Sequence, residues 1–429
     1  TSNAGATTID TFGYGYDAAN NVTSFASIDG TASYGYDQTN QLTSATYTTA
    51  PGGTQPANES YSFDKNGNRT NAGYSTGSDN LITSDGTFNY QHDADGNTTV
   101  RTRISTNYAT DYQTTYTWDY RNRLTDVEYY DNNAVLTKHV HYVYDVFDHL
   151  LATEVDTTGD GAYNDVEHYV LDVSPEIPQA GVPGTALAQP DLVFDGNQNL
   201  IQRNLVALDP AGVDAVLVQG TVNSLTQGDT DSFVAYDNLG TPRDDVGSTG
   251  TLVNHRVFSV FGQDVYDSNP SVINWAGFAG GHVDPNTGLV SEYHRWYDPA
   301  TGRWISEDPK GFAAGDANLD RCVRNSPTTF RDPTGLEGEG LPPPGYIILK
   351  GNDGLPLIIY VGPSAQQISQ YEAAMIDAME IQQMYENLQS PQWLYPWLYG
   401  GFGAGPGFSP YDSGFGGGIS IGGPANPSS

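Results

Sequence analysis

The chain has little of what most catalytic and nucleic-acid-binding proteins depend on. One residue of 429 is cysteine, Cys322, so no internal disulfide framework holds the fold together. Lysine and arginine number 17 against 51 aspartates and glutamates, for a formal net charge of −34. Such a surface repels phosphate backbones, which argues against nucleic-acid binding by the bulk of the chain and suits cation binding. No run of 18 apolar residues is present, so no direct membrane span is expected. HExxH and CxxC motifs are missing, and the two Gly-x-Ser-x-Gly matches, GYSTG at 73–77 and GISIG at 418–422, stand in no strand–turn–helix elbow, which leaves zinc- and serine-hydrolase readings without support. The first residue is not Met and a recognisable motif starts at Tyr14, so the chain is expected to be the C-terminal part of a longer protein or a processed product.

What the chain does have is tyrosine, threonine, asparagine and glycine, the composition of a secreted or surface β-protein. A motif recurs as YGYDAANNVTS at Tyr14, YGYDQTNQLTS at Tyr34, YSFDKNGNRTN at Tyr61, YQHDADGNTTV at Tyr90, YTWDYRNRLTD at Tyr116 and YVYDVFDHLLA at Tyr142. Its aspartates are Asp17, Asp37, Asp64, Asp93, Asp119 and Asp145. The aromatic-x-aromatic step puts two rings on one face of a strand, Asp with Asn or Gly supplies a turn, and a Thr-rich strand returns. Each unit is a β-hairpin that cannot bury its own face, so stacked units predict a continuous, spiralling sheet. The alternation assigns the repeated tyrosines to packing on the inner wall rather than to sugar stacking.

Weaker copies follow at Phe194 (FDGNQNLIQRN) and Tyr236 (YDNLGTPRDDV), with strands expected in AGVDAVLVQG and SFVAYD. Residues 175–190, rich in Pro and Gly, read as a loop. Near the end, LPLIIYVGP reads as a strand, and Ser364 as the N-cap of one helix running to about Leu388.

Between Arg295 and Leu336 the sequence changes character: RWYDPATGRWISEDPKGFAAGDANLDRCVRNSPTTFRDPTGL. Asp-Pro steps at Asp298, Asp308 and Asp332 combine a fixed proline φ with a glycine free to take φ > 0. The last two open near-copies, DPKGF and DPTGL, each a rigid turn presenting an Asp. If the intervening residues double back, the two carboxylates meet.

This stretch resembles the Rhs-repeat-associated core that ends the Rhs and tyrosine-aspartate (YD) repeat proteins, which include polymorphic toxins, C components of insecticidal toxin complexes, and teneurins. The resemblance covers residues 275–336 and, more loosely, the repeats before them. It implies an all-β fold, a spiralling YD-repeat β-hairpin shell closed by the core as a plug. It also implies an internal aspartyl protease cutting after the Leu of DPxGL, here between Leu336 and Glu337. An aspartyl protease needs two carboxylates sharing a proton, one acting as base on water and the other as acid. Asp308 and Asp332 are the candidates by repeated motif, and Asp320, midway between them, is an alternative for either. Glu307 beside Asp308 is an anion placed to raise that carboxyl's pKa.

The organisation expected is repeats over 1–175, further β-shell over 176–274, the core over 275–336 and a variable tail over 337–429. DTTGDGAYNDVE has the ligand spacing of an EF-hand-type calcium loop: Asp156, Thr158, Asp160, the Ala162 carbonyl, Asn164 and Glu167. Its flanks are β-like, so structural Ca2+ pinning a hairpin is the alternative to a plain acidic turn. His139 and His141 share a strand face and read as an ordinary surface pair. The tail holds one basic residue, Lys350, and no Arg, His or Cys, which makes it a poor enzyme. The function implied is a secreted or cell-surface shell that encloses its own C-terminal segment. Secretion-system or cell-surface partners are expected with it. A non-cleaving adhesin and a toxin with activity in the tail are the alternatives.

Overall fold

The computed structural model describes residues 8–106, 108, 110–171, 189–208, 214–222, 229–336, 338–340, 345–350 and 356–361. Antiparallel strands dominate these residues, which contain no α-helix and only four short 3-10 turns. The helix expected between Ser364 and Leu388 lies outside the described residues, as does most of the 175–190 loop.

A 16-stranded sheet runs from Tyr74–Thr76 at one edge to Asp264–Asp267 at the other, each strand paired with its neighbour in sequence. A five-stranded sheet spans Gly13–Tyr16 to Glu59–Ser60. The repeats therefore build the meander their period predicts, interrupted between Ser60 and Tyr74. In AGVDAVLVQG the strand is Asp214–Val222, and SFVAYD falls in Asp229–Tyr236.

One turn geometry explains why the repeat carries its signature. Asp93 takes the amide N–H groups of Asp95 (3.0 Å) and Asn97 (2.9 Å) on one carboxylate oxygen, and the Asn97 side chain (3.0 Å) on the other. Asp17, Asp37 and Asp64 hold the residues two and four places on in the same way. The third residue after the aspartate takes positive φ: Asn20 at 66°, Asn40 at 64°, Gly67 at 78°, Gly96 at 77°. Asn and Gly are the residues that tolerate this conformation. Successive turns are tied side by side, Asn21 Nδ2 donating to Asn40 Oδ1 and Asn97 Nδ2 to Asn122 Oδ1, both at 3.0 Å. The next residue then enters the core: Val22, Leu42 and Leu124 are at most 2% exposed.

The same backbone turn recurs where the aspartate is missing. Gly77 and Leu81, Ser259 and Gln263, and Gly277 and Gly281 close the corresponding N–H to O=C bonds at 2.7–2.8 Å. These are repeats whose signature is absent from the sequence but whose turn survives, because the backbone bonds need no Asp.

The core segment forms a four-stranded sheet, His282–Val283, Val290–Glu292, Arg295–Asp298 and Arg303–Trp304. Its Trp275, Leu289, Trp296 and Ile305 pack with Val127, Val140, Tyr142, Val155 and Tyr169 of the large sheet. Tyr142 stacks against Trp296 at 4.6 Å and donates to Asp284 of the segment's own Asp-Pro turn. Tyr116, Tyr142 and Tyr144 thus pack with the core segment, whereas Tyr34 and Tyr61 cluster with Val260 and Phe261, and Tyr14 with Phe25.

Gly345–Lys350 pairs with Pro356–Val361, as expected for LPLIIYV, and also with Thr8–Thr11. The edge of the first strand is covered by the later hairpin, which removes an open edge.

Replacing Asp119, which holds the amides of Arg121 and Arg123 and the Arg123 side chain, with alanine is expected to cost about 1–3 kcal/mol in urea unfolding. Asp95→Ala, at an exposed turn position, is expected to stay within about 0.5 kcal/mol of the parent.

Candidate active site in the core segment

Arg295 gathers the Asp-Pro turns. Its side chain is 4% exposed and lies 4.1 Å over the Trp304 ring. Nη2 meets Asp308 Oδ2 and Asp332 Oδ2, each at 3.1 Å. Nη1 donates to the Leu319 carbonyl at 3.1 Å, and Nε to the Gly335 carbonyl. Burial pulls the guanidinium pKa down against the opposing pull of Asp332 and Asp308.

The local folds follow from the motif. In the first turn Asp308 accepts the Lys310 amide at 2.8 Å, and the Gly311 amide returns to the Asp308 carbonyl at 2.8 Å. In the second, Asp332 Oδ1 accepts the Leu336 amide at 3.0 Å, and Gly335 adopts φ 68°. A Cβ at Gly335 would stand 2.7 Å from the Glu292 carbonyl oxygen, so only glycine lets this turn lie against the Val290–Glu292 strand.

Asp308 and Asp332 are therefore brought together, but with a guanidinium nitrogen between them rather than as a directly proton-sharing pair. Asp320 sits on the neighbouring Arg303, at 3.3 Å, with its Oδ1 buried and given no hydrogen bond. Burial, opposed by Arg303, pushes its carboxyl up to about 6. The Leu319–Asp320 backbone joins the two groups: Asp308 N donates to the Leu319 carbonyl (3.2 Å) and Trp304 N to the Asp320 carbonyl (3.0 Å). Glu307 turns toward Gly96 of a repeat turn instead of toward Asp308. Leu336 is half-buried at the mouth of this arrangement, and Glu337 lies outside the described residues.

Two members of the site gave no sequence signal. Arg295 stood in the stretch only as a basic residue before Trp296. Glu292 is 4% exposed, and its Oε2 has no hydrogen-bond partner. Burial, then the nearby Asp332, hold its carboxyl well above the usual range, against Arg331. The pairing of Glu292 with Arg295 across a two-residue turn was the one available clue, and it needs the strand register to be known.

The residues of the calcium spacing bond the turn itself. Asp156 uses both carboxylate oxygens on amides of Thr158 (2.9 Å), Gly159 (2.7 Å) and Gly161 (2.6 Å). Asp160 accepts the Ala162 amide, and Asn164 holds Thr157. Glu167, paired across from Thr153, bonds Tyr169 at 3.0 Å on the core-facing side of the sheet. Asp156, alternate to the core-facing Val155, stands on the other side, so the first and last ligands of the spacing do not converge.

A buried His/carboxylate group lies elsewhere. His255 meets Asp244 through Nδ1 at 2.7 Å and Asp29 through Nε2 at 3.0 Å. Asp10, from the first strand, stands beside Asp244; burial first, then Asp244, push its carboxyl up. Although burial pulls the imidazole down, the Asp244 and Asp29 hydrogen bonds raise it to about 9. Its ordinary value is about 6.5, so its stabilisation is complete below that and is lost as the pH rises through about 9. The expected result is a fall in unfolding free energy on the order of 2–3 kcal/mol between about pH 6 and pH 10 that His255→Gln abolishes; parallel urea titrations of both proteins check it.

Residues 218–328 match the family described as Teneurin YD-shell. Human teneurin-4 is 37% identical over 84 residues, 20% of this chain and 3% of its own. Toxin subunit YenC1 of Yersinia entomophaga is 36% identical over 107 residues, 24% of this chain and 11% of its own. The probable deoxyribonuclease RhsB of Dickeya dadantii (strain 3937) is 37% identical over 116 residues, 26% of this chain and 8% of its own. The aligned regions thus span a small part of each relative's length. Among solved structures, a Photorhabdus luminescens Tc holotoxin pore superposes on 77% of this chain and 17% of its own, with TM-score 0.53 at 17% identity, a likeness of fold.

Proposed function

Given that the chain is an Rhs/YD-repeat protein built on a β-shell fold, we propose that it encloses its own C-terminal segment and cuts itself after Leu336. The observation that supports cutting is the convergence of Asp308, Asp332 and the Gly335 carbonyl on Arg295. Asp332 and Arg295 hold the Gly335–Leu336 backbone in place. Asp308 acts as the base, taking a proton from a water that adds to the Leu336 carbonyl carbon. Asp320 is the acid: its raised pKa keeps a proton available below about pH 6 for the departing Glu337 nitrogen as the C–N bond breaks. Arg295 offsets the negative charge accumulated around the intermediate.

The protein works outside the cell, as a secreted or surface component, with toxin-complex subunits as the partner class its YenC1-like region suggests. Among the described residues no helix is long and apolar enough to cross a membrane. Because Gly345–Lys350 pairs with Thr8–Thr11, the two products remain associated after the cut, and release of the enclosed segment is a separate step.

Intact mass under native and denaturing conditions tests the reading. The parent is expected to give one native species that separates on denaturation into fragments ending at Leu336 and starting at Glu337, while Asp308→Asn stays one chain. A single denatured chain in the parent removes the protease and leaves a structural or adhesive shell. Cleavage by freshly refolded protein is expected to slow as the pH rises through about 6, where Asp320 loses its proton; a rate indifferent to pH between about 5 and 7 would take the acid role from Asp320.

A further inference from the structure

Three adjacent strands, Leu124–Tyr130, Leu136–Tyr144 and Leu150–Asp156, turn Val127, Val140 and Val155 toward the core segment. The alternate residues stand on the opposite face. In register, Asp126 lies across from His141 and Glu128 across from His139 on one side, and Glu154 lies across from His141 on the other. His139 Nε2 and His141 Nδ1 both point at one oxygen, Asp126 Oδ1, at 2.9 and 2.8 Å. One ligand atom from each of the three residues falls within 4.8 Å of the other two. The Tyr163 ring, reaching over from the turn before Asp165–Leu171, lies 5.5 Å from the His139 ring and 6.1 Å from that of His141. Side-chain exposures of 20%, 33% and 23% for His139, His141 and Asp126 leave the group reachable from solvent but not loose.

We propose that Asp126, His139 and His141 form a binding site for a divalent zinc-class metal ion. The donor set decides the class: two imidazole nitrogens and one carboxylate suit borderline ions such as Zn2+, whereas Ca2+ and Mg2+ ask for oxygen donors throughout. The geometry favours a metal over an ordinary surface pair because both rings already converge on one carboxylate oxygen. A cation entering there replaces ring protons on strands whose backbone is fixed by antiparallel pairing on both sides. Glu128 and Glu154, facing the two histidines in register, add negative charge that draws a cation. Three protein ligands leave coordination positions open, to be filled by water or by a donor of a docked partner.

The test is calorimetric titration of the full chain with Zn2+, and with Co2+ for its visible absorption. The expected result is one site whose affinity falls more than about tenfold in His139→Ala and in His141→Ala. His168→Ala, at an exposed histidine on a neighbouring strand, is expected to bind as the parent does. Co2+ bands in the parent that vanish in the double variant H139A/H141A establish the ligands. Folding of each variant is read from its melting curve, and these half-exposed positions are expected to tolerate alanine. Zn2+ binding that persists unchanged in the double variant overturns the proposal, as does binding lost instead in His255→Gln, which would put the ion at the buried Asp10–Asp244–His255 group. No Zn2+ binding by the parent also overturns it.

Discussion

A single guanidinium holds the end of the described core segment together. Arg295 is buried, stacked on Trp304, and spends its three nitrogens on Asp308, Asp332, the Leu319 carbonyl and the Gly335 carbonyl. Removing a charge from water is costly unless it is paired and hydrogen-bonded, and here the partners come from two Asp-Pro turns and the Leu319 backbone of the same segment. The ion pairs therefore act less as net stabilisation than as a specification of where the 306–336 loops must close. The cleavage proposal depends on the same contact, since the residue that places the carboxylates also holds the Gly335 carbonyl, one residue before the bond proposed to be cut.

The repeats meet a similar demand by smaller means. An exposed turn leaves amides unsatisfied, and the repeat aspartate answers three donors with one carboxylate, while Asn or Gly accepts the positive φ that the turn imposes. Asn-to-Asn bonds then link neighbouring turns, and the residue after them plunges into the core. Tyrosine supplies a ring for the inner face and a hydroxyl for the core segment, as Tyr142 does with Trp296 and Asp284. The outer face is left to polar residues, and there the His139–His141 pair finds Asp126.

Much of the fold was legible because the repeat is periodic and its turn chemistry is local. The strands, the hairpin turns and the inward tyrosines all follow from residues within a few positions of one another. Turns at Gly77, Ser259 and Gly277 escaped notice because backbone bonds sustain them without the marker aspartate. At the site, repetition of the Asp-Pro turn pointed to Asp308 and Asp332, but Arg295 between them depends on strand register that no local pattern encodes. The Asp156–Glu167 spacing is limited in a related way. Spacing counts residues but not faces, and strand alternation sends Asp156 and Glu167 to opposite sides of the sheet. Asp126 was missed as a partner of the histidines because it comes from the adjoining strand.

Hydrogen exchange on Arg295→Met tests the central claim most directly, that Arg295 holds the Asp-Pro turns as one unit. The account predicts that the amides of Gly335, Leu336 and Asp308 lose protection together, while those of Leu124–Tyr130 and Leu136–Tyr144 exchange as in the parent. Unchanged protection at Gly335 and Leu336 in the folded variant would contradict it, because those turns would then be closing without the guanidinium.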